Sequence, residues 1–181
     1  MGALSGFQAL SRRRFFRVTL GVGVSVGAAT GGLLAMRGGA PDVAGLRVLS
    51  AHAYRTLEAL ATALFPPGGP IPQGAAGMDL ARAFDGFLAD EPAHHRRDLS
   101  RALFWLEYGP VLYERRAKTF SRLRDDERLA HFDSWATSQS LLRRQVALAF
   151  RKFLSVVFYD RPEIWPHLGY DGPLFGDRSG K

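Results

Sequence analysis

Ser140-Leu141-Leu142-Arg143-Arg144-Gln145-Val146-Ala147-Leu148-Ala149-Phe150-Arg151-Lys152-Phe153-Leu154-Ser155-Val156-Val157-Phe158 carries the longest hydrophobic periodicity in the chain. Leu142, Val146, Ala149, Phe150, Phe153 and Val157 recur every three or four residues, the interval that lines one face of an α-helix. Arg143-Arg144 and Arg151-Lys152 fall between them. They read as the solvated face of this helix or as a salt-sensitive docking patch for an acidic partner.

Working back from that helix, the same period recurs. Arg124-Asp125-Asp126-Glu127-Arg128 opens a helix with acids in its first turn, where the helix dipole favours them, and Leu129, Phe132, Trp135 and Ala136 give its buried stripe. Phe120-Ser121-Arg122-Leu123 reads as a turn that inserts two apolar anchors. Glu91-Pro92 opens another helix with Leu99, Leu103 and Leu106 on one side. Gly109-Pro110 should bend or break it, with Val111 to Ala117 continuing in a new direction. Leu80, Phe84, Phe87 and Leu88 mark a helix from Met78 to Ala89. Before it, Pro66 to Gly77 is too rich in Pro and Gly for regular structure and reads as a surface loop. Ser50 is a good N-cap for a helix from Ala51 to Phe65, whose Leu57, Leu60, Ala61 and Leu64 share a face, and Ala40 to Leu49 reads as a linker or a short extended entry. No strand pattern of comparable length occurs. The expected fold is all-α, an irregular helical bundle over residues 41–158.

Downstream of Phe158 the composition changes. Residues 159–181 are rich in Pro, Gly and aromatics, and an extended arm is expected there. Its large side chains Tyr159, Trp165, Leu168, Tyr170 and Phe175 must be covered, either by wrapping the bundle or by docking on a partner.

The chain has 181 residues and no cysteine, which excludes disulfides, thiolate-held iron–sulfur clusters, covalent c-type haem and a Cys nucleophile. Its net charge of +7 would suit nucleic acid, but the location of the charge argues otherwise. Residues 1–40 hold five arginines and no acid, leaving nineteen basic against seventeen acidic side chains in the remainder. A phosphate-binding domain carries its basic excess on the folded face, so no nucleic-acid partner is expected.

Those five arginines frame the N-terminal segment. Ser11-Arg12-Arg13-Arg14-Phe15-Phe16-Arg17 precedes an uncharged run from Val18 to Met36, diluted by Gly21, Gly23, Gly27, Gly31 and Gly32, and Arg37 follows. The order resembles the twin-arginine export signal, with Ser11, Arg12, Arg13, Phe15 and Phe16 in the targeting positions. The resemblance implies export of an already folded protein by the twin-arginine translocase. The other reading of residues 1–40 is a basic flank on a membrane helix of about 19 residues, just long enough to span. Gly38-Gly39-Ala40 has the small residues of a cleavage site but is followed by Pro41, so release and retention both stay open.

Taken in order, the signal, Leu49-Ser50-Ala51-His52 leading into Leu57-Glu58-Ala59-Leu60-Ala61-Thr62-Ala63-Leu64-Phe65-Pro66-Pro67, the Phe120 to Arg128 element, and Phe158-Tyr159, Trp165 and Leu168-Gly169-Tyr170-Asp171-Gly172-Pro173 resemble the small subunit (gamma, or subunit 3) of gluconate 2-dehydrogenase and related sugar dehydrogenases. The resemblance spans essentially the whole chain. It implies a non-catalytic accessory subunit that binds no cofactor itself. Its large partner would be an FAD-dependent oxidoreductase of the glucose-methanol-choline type, matured and exported with it, and a multihaem cytochrome c subunit could take the electrons onward. Location on the periplasmic side of the inner membrane follows, with Tyr159, Trp165, Leu168, Tyr170 and Phe175 as candidate contacts. The rival reading is a membrane-anchored structural or interaction protein with no export role.

Candidate chemistry within the chain is sparse. His94-His95 are adjacent and point about 100° apart on a helix, unlike the i, i+4 clasp of a metalloprotease, so no metal site is expected. Glu107, Glu114 and Asp133 sit among aromatics and invite an acid/base reading. No Gly-x-Ser-x-Gly elbow or dinucleotide fingerprint accompanies them, and no catalysis by this chain alone is expected.

Overall fold

The computed structural model describes Met36 and residues 38–171. These form an all-α domain: α1 (Ala51–Leu64), α2 (Leu80–Ala89), α3 (Ala93–Glu114), a 3₁₀ turn at Phe120–Arg122, α4 (Asp125–Ala136), α5 (Leu141–Tyr159) and the one-turn α6 (Trp165–Leu168). The core is apolar and strongly aromatic. Leu57 and Leu60 of α1, Phe84 of α2, Leu103 and Leu106 of α3, Phe120, Phe132 and Trp135, and Phe150 and Leu154 of α5 are all buried in one cluster. With no disulfide available, this packing holds the domain together.

The helix starts follow local rules. Ser50 accepts from the Ala53 N–H, and the α4 first turn carries Asp125, Asp126 and Glu127. Phe120 and Leu123 are the buried anchors expected of their turn. Between α1 and α2 the chain makes turns, and Gly74 at φ +54° lets the backbone approach Phe65, whose carbonyl accepts from the Ala75 N–H at 2.8 Å.

Three expectations are corrected. Helix α3 does not break at Gly109-Pro110 but runs on to Glu114, ending at Arg115 in the left-handed region. Proline deprives only one upstream carbonyl of its partner, and Pro110 lies in the last turns, where that loss is small against the burial of Tyr108, Gly109 and Pro110. On α4, Leu129 is exposed and His131 takes the inward place beside Phe132 and Trp135. Hydrophobicity alone does not find this exchange, because a polar residue with a partner can hold a core position.

Third, the described part of the C-terminal arm is not extended. Helix α5 includes Tyr159, and turns lead from Asp160 to α6. Pro166 falls in the first turn of α6, which needs no N–H from it, and Gly169 closes that turn at φ +64°. Ile164 is fully buried in the core cluster, and the Arg161 guanidinium donates to the Met78 carbonyl at 2.9 Å. Residues 160–171 therefore begin by wrapping the bundle.

The linker before α1 is also fastened. The backbone N–H groups of Arg47, Val48 and Leu49 donate to the buried Asp85 carboxylate of α2 at 2.6, 2.9 and 2.6 Å. Burial would raise the Asp85 carboxyl, but these three donors hold it below its ordinary value. Further upstream, Arg122 donates to the Met36 carbonyl at 3.2 Å and Arg55 to the Gly39 carbonyl at 2.9 Å.

Candidate partner interface

Four of the five candidate contact residues lie among the described residues, and the fold gathers them. Tyr159 ends α5, Trp165 and Leu168 stand on α6, and Tyr170 follows the Gly169 cap. The indole N–H of Trp165 donates to the Tyr159 carbonyl at 3.1 Å, and the Tyr170 N–H donates to the Trp165 carbonyl at 3.0 Å. The Trp165 and Tyr170 rings meet edge to face with centroids 5.5 Å apart. On the inner side, Phe65 stacks on Phe158 at 4.1 Å, nearly parallel, and Tyr159 packs edge-on against both. An aromatic ledge thus stands on the core while Tyr159, Leu168 and Tyr170 remain 46%, 51% and 46% exposed. Rigid aromatics already held in place lose little conformational freedom when a partner covers them. Phe175 and the targeting residues Ser11, Arg12, Arg13, Phe15 and Phe16 lie outside the described residues.

The carboxylates that invited an acid/base reading are each taken up by separate partners. Glu107 is buried; it accepts from the Ser121 N–H at 3.0 Å and the Ser121 hydroxyl at 2.7 Å, and the Thr56 hydroxyl lies 3.0 Å away. It ties α1, α3 and the 3₁₀ turn together. A cleft of about 260 Å³ opens beside it, lined also by Ser50, His52, Thr56, Ser100 and Phe104. Asp133 pairs with Arg151 at 2.7 Å on the surface.

Glu114 accepts from His131 Nδ1 and from Arg116, the latter at 2.7 Å; Arg116 also reaches Glu127 at 3.1 Å. Burial pushes the His131 imidazole below its ordinary range against the pull of Glu114, so the ring is neutral and donates through Nδ1. His131 Nε2 and Trp135 Nε1 are buried without hydrogen-bond partners. This arrangement spans α3 and α4 as a structural bracket, and its signal in sequence is only a lone His among aromatics.

His95 Nδ1 lies 2.8 Å from Glu91 across the start of α3. Among the described residues no group of three or more His, Cys, Asp or Glu is placed to hold a metal ion, and no described helix is long and apolar enough to cross a membrane. The basic pairs of α5 have mixed roles. Arg143 lies 3.7 Å over the Tyr113 ring, Arg151 pairs with Asp133, and Arg144 and Lys152 are exposed.

No protein-family model matches the chain, and no curated protein or solved structure matches it either.

Proposed function

We propose that this chain is the non-catalytic small subunit of an FAD-dependent sugar or alcohol dehydrogenase complex of the glucose-methanol-choline type, required for maturation and twin-arginine export of the flavoprotein. The observation that carries the proposal is Ser11-Arg12-Arg13-Arg14-Phe15-Phe16 ahead of the uncharged run to Met36, a paired-arginine address on a chain that goes on into a helical domain. The family resemblance supplies the class of cargo. The aromatic ledge of Tyr159, Trp165, Leu168 and Tyr170 supports the reading by offering a preformed surface for it. In this scheme the arginines engage the translocase while the ledge holds a partner that has folded around FAD. The complex is delivered to the periplasmic side of the inner membrane, where a multihaem cytochrome c subunit could receive electrons.

The test is a pull-down of the C-terminally tagged chain from its native membranes, with an absorbance spectrum and mass identification of what accompanies it. A larger, yellow, flavin-containing protein is expected. With Arg12→Lys and Arg13→Lys together, both proteins should remain in the cytoplasm; dehydrogenase activity still reaching the periplasm would overturn the escort role.

A second reading, a permanently tethered interaction protein with no export role, is favoured by Pro41 after the small residues 38–40 and by the hold of Arg122 and Arg55 on the Met36 and Gly39 carbonyls. An intact N-terminus by mass spectrometry, with no flavoprotein attached, would select it.

A further inference from the structure

Helix α5 presents an outward ridge that the other described residues leave uncovered. Leu141, Leu148, Val156 and Tyr159 fall on one side of it and are 54%, 53%, 60% and 46% exposed. Lys152 stands within the same stripe and Arg144 along its flank, both exposed. The ridge is about 27 Å long at the rise of an α-helix. All four charged side chains of α5, Arg143, Arg144, Arg151 and Lys152, are cations. Asp133 pairs with Arg151 on the flank, and Asp160 and Glu163 lie beyond the last turn of the helix.

A convex helix side with spaced apolar residues and cations of one sign suits a flat anionic phase. Leu, Val and Tyr enter the headgroup boundary while Lys and Arg reach up to the phosphates. Tyr159 closes the row beside Trp165 and Tyr170, residue types that settle at the level of lipid headgroups. We propose that the outer face of α5 lies on an anionic lipid surface, with Leu141, Leu148, Val156 and Tyr159 in the boundary and Arg144 and Lys152 at the phosphates. The lipid face shares Tyr159 with the partner ledge, but Leu141, Leu148, Arg144, Lys152 and Val156 lie outside that ledge, and the test reads them.

The absence of cysteine makes the test direct. Leu148→Cys and Val156→Cys each carry an environment-sensitive fluorophore in the full chain, with Ser100→Cys, an exposed residue of α3, as the reference. The chain is reconstituted with vesicles of phosphatidylcholine alone or mixed with phosphatidylglycerol. The labels at 148 and 156 are expected to shift to an apolar spectrum with phosphatidylglycerol, while the label at 100 does not. Arg144→Gln with Lys152→Gln should return them to the aqueous spectrum, the two charges together changing occupancy of the lipid-bound state about thirtyfold. Identical spectra with and without phosphatidylglycerol would overturn the proposal. So would a shift at 148 and 156 that appears only when a co-purified protein is added, which would make the ridge a protein interface.

Discussion

Gly109 of α3 and the imidazole of His131 on α4 meet where no β-carbon fits. A methyl at 109 would lie 2.6 Å from His131 Nε2 and 2.9 Å from Trp135 Cζ2. Two aromatic rings of α4 are thereby seated directly on the α3 backbone, and the same imidazole reaches Glu114 farther along α3. Gly→Ala inside a helix ordinarily stabilises by about 1 kcal/mol. Here the sign reverses: Gly109→Ala should destabilise the domain by about 2 kcal/mol, because both rings must move out of a packed core. Urea unfolding of the two proteins side by side measures it.

Asp85→Asn should cost about 2 kcal/mol and Asp85→Ala more, since three backbone donors converge on the buried carboxylate. Amide hydrogen exchange at Arg47, Val48 and Leu49 should accelerate in both variants, well ahead of the rest of the core. Because the folded carboxyl sits below its ordinary value, its contribution is present at neutral pH and is lost as pH falls through that lowered value.

The pH dependence of His131 runs in the same direction for a different reason. Its folded imidazole titrates below its unfolded one, so the unfolded chain takes up the proton first as pH drops through about 6.5. Stability should therefore be fully present above that pH and decline below it. His131→Gln should flatten this part of the profile while lowering stability at neutral pH. Denaturant midpoints measured between neutral and mildly acidic pH would check both statements.

Tyr159→Ala with Tyr170→Ala should reduce recovery of the partner at least about tenfold in the pull-down, the effect expected of exposed aromatic anchors. The thermal midpoint should fall only by a few degrees, from the lost ring contacts with Phe65, Phe158 and Trp165, with the domain still folded at the temperature of the pull-down. Trp165→Ala is a poorer probe because its indole N–H bonds to Tyr159 and its loss would loosen the ledge itself.

The helices were legible because their signals are local and repeated: Ser50 as a cap, acids at 125–127, and the 3.6-residue rows of α1 and α5. What escaped the sequence were polar residues that work at a distance. Asp85 fastens a segment 36 to 38 positions away, and Glu107 joins Thr56 to Ser121. His131 displaces Leu129 from the core, a swap decided by the neighbouring helix. Gly109-Pro110 reads as a bend or break although the last turns of a helix tolerate Pro110, and the Pro-rich composition after Phe158 reads as extended although Pro166 sits in the first turn of a helix. The sequence marks Tyr159, Trp165, Leu168 and Tyr170 only as apolar side chains of an extended arm, and their gathering into a ledge depends on Ile164 finding a core socket that no local pattern reveals.

The carbonyls of Met36 and Gly39 are gripped by arginines from separate places, Arg122 in the 3₁₀ turn and Arg55 in α1. The first of these spans 86 positions and forms only once the 3₁₀ turn has been brought back to the start of the domain. The course of the chain at Met36 and Gly39 is therefore set by tertiary structure and not by its own local sequence, which there includes the glycine pair Gly38-Gly39.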